Sequence, residues 1–221
     1  MTAANQRIGK EYQNLTQSRY FRMALAGLVG TLALLAYPVD SILDQNLTLH
    51  MFQHFGLFFF SAIVGYGLEK TLITKLVFLK KKTYVGWKAY VSLIKFNHET
   101  KGLLFAAVIP LAVFSFWHYP ANFDLAVTNG FVHVLEHFSY IVAGGFLGAA
   151  VVAVPRKFKA LLLVLAFMQA GMMGSMMLVW PHFFTAYSSA QNSEMDSALM
   201  LFGAVGLMAS GSWFLKVVDV I

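Results

Sequence analysis

Residues 117–145 read WHYPANFDLAVTNGFVHVLEHFSYIVAGG. The run holds His118, His133 and His137, and one carboxylate, Glu136, with apolar sequence on both sides. An ionisable group in such a place is costly and by default marks a functional site. An earlier stretch, LTLHMFQHFGLFFF at 47–60, carries His50 and His54. In both stretches two histidines lie four residues apart, which stacks them on one face of a helix.

Composition sets the solvent. The chain is 58% hydrophobic and only 12% charged. A soluble domain is about 45–50% apolar and about 25% charged, so this is an integral membrane protein. A length of 221 residues accommodates roughly six spans at about 20 residues each. The expected class is therefore all-α: a polytopic bundle of six transmembrane helices with no separate soluble domain. Cysteine is absent, which excludes disulfides, thiolate metal sites and a cysteine nucleophile. Any soft metal ligand must come from the eleven methionines.

Taken in order, residues 1–19 are polar and basic and lack the apolar core of a signal peptide. They are expected to be a cytoplasmic tail, with the six-helix domain over 20–218. The first predicted span is Tyr20–Tyr37, followed by a short loop with Asp40 and Asp44; the second is Leu47–Leu68. Residues 69–101 hold eight lysines among Leu, Val, Phe, Tyr and Trp87. That mixture predicts an interfacial segment on anionic lipid rather than a nucleic-acid patch. The third span is Gly102–Trp117, containing Pro110; the fourth is Asn129–Val154, where Gly144, Gly145 and Gly148 invite close approach of another helix. The fifth, Leu161–Trp180, is rich in methionine, and the sixth is Ala198–Val218. Asp124 reads as a loop residue beside Pro120, Ala121 and Asn122.

Charge assigns each loop to a side. All sixteen lysines and arginines fall in residues 1–22, 69–101, 155–159 and at Lys216. The alternate loops carry only Asp40, Asp44, Asp124, Glu194 and Asp196. The positive-inside rule then predicts both termini in the cytoplasm of a multi-pass cell-membrane protein. On that topology His50, His54, His118, His133, His137 and His182 share the outer third of the membrane, with Met51, Met176, Met177 and Met195 on the same side. Only His98 falls on the inner side.

Imidazole binds zinc, copper, iron and nickel, and thioether selects Cu(I). Two helices that each offer an i,i+4 histidine pair make a four-nitrogen site if those faces meet. Glu136 then serves as a ligand, an acceptor for an imidazole N–H, or a proton acceptor. The candidate metal residues are His50, His54, His118, His133, Glu136, His137 and, on topology alone, His182. HVLEH also fits H-x-x-E-H, in which two histidines hold zinc and the glutamate is a general base; a membrane metallohydrolase is the alternative enzyme reading. A haem b held between helices by His50 and His133 is a further alternative.

Three blocks in order, HMFQH at 50–54, WHYPANFDLAV at 117–127 and HVLEHFSYIVAGG at 133–145, resemble the CtaG-like family of assembly factors for caa-type cytochrome c oxidases, which has archaeal relatives of unassigned function. The resemblance covers the central part of the chain, and the bacillar members have one span more. It implies a non-catalytic protein that handles copper at the outer face during assembly of a haem–copper oxidase. His50, His54, His118, His133, Glu136 and His137 are the residues it carries over. Its expected partners are oxidase subunits, or another copper-dependent membrane complex in which the chain is a resident subunit.

Overall fold

A computed structural model describes the backbone of residues 3–76 and 100–218, with side chains over 19–72 and 107–218. Most of the expected interfacial segment, with Trp87 and His98, lies outside the described residues, as do nearly all the side chains of the expected tail. The described chain is helical: α1 (Ala3–Leu35), α2 (Val39–Leu43), α3 (Leu47–Leu76), α4 (Thr100–Trp117), α5 (Pro120–Thr128), α6 (Gly130–Val151), α7 (Arg156–Val179) and α8 (Ser189–Val217). No strand occurs among the described residues.

Four helices are long and apolar enough to cross a membrane: α3 over Leu47–Leu72, α6, α7 and α8. They coincide with the second, fourth, fifth and sixth predicted spans. The first and third predicted spans correspond to α1 and α4, of which only part lies among residues with described side chains; for α4 that part is Ala107–Trp117. The outer surface of α7 is apolar, with Leu163, Leu165, Met168 and Met172 exposed, as a lipid solvent requires.

Two connections depart from the expected loops. Asp40 sits in the five-residue helix α2, and Asp44 is its C-cap. Asp124 lies inside α5, because Pro120 occupies the first turn of a helix, where its fixed φ and missing N–H cost nothing.

The chain packs as two compact units, drawn from Met1–Leu34, Gly56–Pro110 and Tyr140–Ala153, and from Leu35–Phe55, Leu111–Ser139 and Val154–Ile221. In the first, α6 meets α3 through glycine. A Cβ on Gly148 would collide with the backbone of Ala62, and one on Gly144 with Phe58 and Ser61. Close backbone approach through small residues is how helices associate where lipid removes the hydrophobic drive.

The second unit has a core of buried apolar side chains that includes Leu47, Met51, Phe123, Phe184, Met195 and Leu199. The Phe123 and Phe184 rings lie 4.1 Å apart. Helices α7 and α8 touch at Gly203, where a Cβ would stand 2.7 Å from the Gly171 Cα. Met177 and Met195 are part of this core, whereas Met176 is 38% exposed. The methionines of the fifth span therefore serve packing and the lipid face.

Gly148→Ala is expected to destabilise the protein by about 1–3 kcal/mol, the usual cost of overpacking. Its thermal midpoint in detergent should fall by several degrees. Gly130→Ala, at a position with nothing within 4 Å of the added Cβ, should leave that midpoint unchanged.

Candidate metal centre

Every member of the candidate site belongs to the second unit. Two asparagine caps set the register of the helices that carry it. Asn46 Oδ1 accepts the Leu49 amide at 3.0 Å and starts α3. Asn129 Oδ1 accepts the amides of Phe131 and Val132 at 3.1 and 3.2 Å and starts α6. One turn into α3 stand His50 and His54; one turn into α6 stand His133, Glu136 and His137. The i, i+3, i+4 spacing turns all three of the latter to one face.

The two faces meet. His50 Nε2 lies 2.9 Å from His54 Nε2, and His54 Nε2 lies 3.5 Å from Glu136 Oε1. Glu136 Oε2 is 4.0 Å from His50 Nε2 and 3.9 Å from His133 Nδ1. The His133 and His137 rings are 4.1 Å apart between centroids. His50, His54 and Glu136 are fully buried, and His137 is nearly so. Ligand atoms from His50, His133, Glu136 and His137 all lie within 4.8 Å of one another.

Outside His50, side-chain atoms of this group are left unsatisfied by hydrogen bonds. Both carboxylate oxygens of Glu136, Nε2 of His133 and Nε2 of His137 are buried without a hydrogen-bond partner. A buried polar atom left this way costs about 1–3 kcal/mol, so several in one cluster call for a bound group. A transition-metal ion does so, and imidazole with carboxylate is a donor set that fits one.

Outer contacts orient the rings. Tyr187 donates its hydroxyl proton to the Asp44 carbonyl at 2.8 Å. Burial pushes this phenol above its ordinary range, and the carboxylates of Asp44, Glu136 and Asp124 add to the shift, so the proton stays on oxygen. The same oxygen then accepts from His50 Nδ1, 3.0 Å away. That fixes the tautomer and leaves His50 Nε2 as the ligand atom. Tyr187 is itself held by its loop: Asp124 accepts the amides of Thr185 and Ala186 at 3.0 Å each and the Thr185 hydroxyl at 2.6 Å. Asn192, fully buried, brackets Phe184 through its amide and carbonyl, both at 3.0 Å.

His118 stands at the edge. Its Nδ1 donates to the Phe114 carbonyl at 2.8 Å, and its Nε2 lies 3.2 Å from the Met51 sulfur. Its ring is 6.1 Å from that of His54. His182 is not brought in: it is exposed, and its near neighbour is Ser189 Oγ at 3.5 Å.

The sequence reading missed Asp40, Asp44, Gln53 and Tyr187. Asp44 Oδ2 lies 3.3 Å from His133 Nε2, and Asp44 Oδ1 lies 3.3 Å from His50 Nδ1. Asp40 reaches His133 Nε2 at 3.8 Å and His137 Nδ1 at 3.6 Å, and accepts from Gln53 Nε2 at 2.6 Å. The signal was present: two acids one helical turn apart, in the short connection that leads into His50. Burial raises the Asp44 carboxyl above its ordinary range; His133 opposes this and Asp40 reinforces it. Protons therefore compete for Asp44 at a higher pH than for an ordinary aspartate, and metal affinity should fall as pH falls.

Tyr187→Phe removes the oxygen that orients His50 and is expected to weaken metal binding about 10–100-fold, the usual cost of losing an outer-shell partner. Competition with a chromophoric chelator measures it, with an unchanged melting profile as the check on folding.

The sequence profile of the family described as "Protein of unknown function (DUF1404)" matches residues 25–214. No curated protein and no solved structure matches the chain. The matched range takes in all the helices of the cluster, and this membrane protein belongs to the DUF1404 family.

Proposed function

We propose that this protein is a membrane metal carrier that holds a transition-metal ion in its His/Glu cluster and serves the metallation of a respiratory oxidase. The observation that carries the metal reading is the convergence of His50, His133, Glu136 and His137, with buried atoms that no hydrogen bond satisfies. The resemblance of the three histidine blocks to oxidase assembly factors supplies the biological role and names copper as the cargo. The donors are nitrogen and oxygen, with one thioether, Met51, beside His118 at the rim. That set suits divalent copper, and zinc or iron as well, better than Cu(I), which prefers sulfur. A carrier needs no turnover, only binding weak enough to release.

The proposal includes six spans with both termini in the cytoplasm and the cluster on the extracytoplasmic side of the cell membrane. It rests on the distribution of all sixteen lysines and arginines. Oxidase subunits are the proposed partners, and anionic lipid meets the basic segments.

Two alternatives lose support from the geometry. A haem between His50 and His133 would have to displace both Asp44 and Glu136, each of which lies within 4.0 Å of both rings. A hydrolase needs its glutamate beside a water and an open substrate position, and Glu136 is fully enclosed among imidazoles.

The detergent-purified protein is expected to carry copper, with no Soret band, and to lose it in a His133→Ala/His137→Ala variant. In the source cells, deletion of the gene should lower the copper content of the oxidase without lowering its haem. A protein that takes up no metal when offered Cu(II) or Zn(II) would contradict the metal reading. An oxidase with full copper in the deletion strain would contradict the role.

A further inference from the structure

The cluster continues beyond the group that the proposed metal site uses. We infer that it holds two cations: an inner ion among His50, Glu136 and His137, and an outer ion on Asp40 and Asp44, with His133 between them. The inference rests on the metal-binding reading and deepens it.

Two independent observations support it. The first is geometric. Asp40, Asp44 and His133 form a second set whose ligand atoms all lie within 4.8 Å of one another. The His133 ring presents Nε2 to this set, 3.3 Å from Asp44 Oδ2 and 3.8 Å from Asp40 Oδ2, while its Nδ1 faces Glu136 Oε2 at 3.9 Å. One ring thus offers a nitrogen to each position.

The second is satisfaction. The His133 side chain is 12% exposed, and its Nε2, the nitrogen that faces Asp44 and Asp40, is buried with no hydrogen-bond partner. The Asp44 Oδ1 atom is also buried without one. The outer carboxylates therefore have buried polar neighbours that they do not satisfy directly.

The two positions differ in access. The Asp40 and Asp44 side chains are 29% and 33% exposed, His133 is 12% exposed, and His50, His54 and Glu136 are fully buried. The outer position is where an ion arrives. It takes a borderline divalent metal, such as Cu(II) or Zn(II), through one imidazole and two carboxylates. When both His133 nitrogens coordinate, the ring releases its remaining proton to solvent.

The test titrates the metal-stripped, detergent-solubilised full chain with Cu(II), counts bound copper by equilibrium dialysis and records the electron paramagnetic resonance spectrum. The wild type should bind two copper ions per chain, with a signal smaller than two independent spins because the shared ring couples them. Asp40→Asn/Asp44→Asn should bind one, with the full signal of a single spin. Asp44→Glu, which keeps the carboxylate, should retain the second ion. Melting profiles of the variants confirm that they are folded. One copper in the wild type, unchanged in the Asn variant, would overturn the second position and leave the single-ion reading standing. No copper in the wild type would overturn both.

Discussion

The structure depends on one buried carboxylate. Glu136 has no exposed surface, and neither of its oxygens accepts a hydrogen bond. Left alone, such a group would be among the most unfavourable in the protein. Its surroundings are arranged around that fact: imidazoles from α3 and α6 crowd it, and Asp40 and Asp44 add more negative charge close by. A fold that only needed helix packing would have placed leucine there. The proposed cation would satisfy the carboxylate and the imidazole lone pairs at once.

The same requirement explains the parts that never touch an ion. The histidines must point inward with the correct nitrogen, so the helices that carry them are capped by Asn46 and Asn129 close to the site. His50 must keep its proton on Nδ1, so Tyr187 accepts it there. Tyr187 must not drift, so its loop is tied by Asp124 and by the buried Asn192. Trp117 donates to Ser139 at 2.7 Å, and Ser139 donates to the Glu136 carbonyl at 2.7 Å, which braces the end of α4 against the turn that carries the glutamate. These contacts form an outer shell whose purpose is orientation.

Much of this was legible in the sequence, for physical reasons. Apolar runs of bilayer length located α3, α6, α7 and α8, because lipid demands continuous apolar helix. The i,i+4 pairs His50/His54 and His133/His137 located the site, because helical geometry puts such pairs on one face. The depth expected from the charge pattern does not choose a face, so it groups His182 with the other histidines although the convergent set lacks it, and it passes over Asp40 and Asp44. The acids read as solvent-exposed loop residues because a five-residue helix gives no periodic signal. Tyr187 lies within the connection between α7 and α8, and nothing local marks it as a partner of His50, which lies far away in the chain. The methionine-rich span looked like a source of thioether ligands. Its side chains divide between the core around Phe123 and the outward face, which a single sequence cannot distinguish because both are apolar.

X-ray absorption at the metal edge of the loaded protein should show a first shell of nitrogen and oxygen, with the outer-shell scattering pattern of several imidazoles, lost when His133 and His137 are replaced. A first shell dominated by sulfur, or the scattering of a porphyrin, would contradict the proposed site.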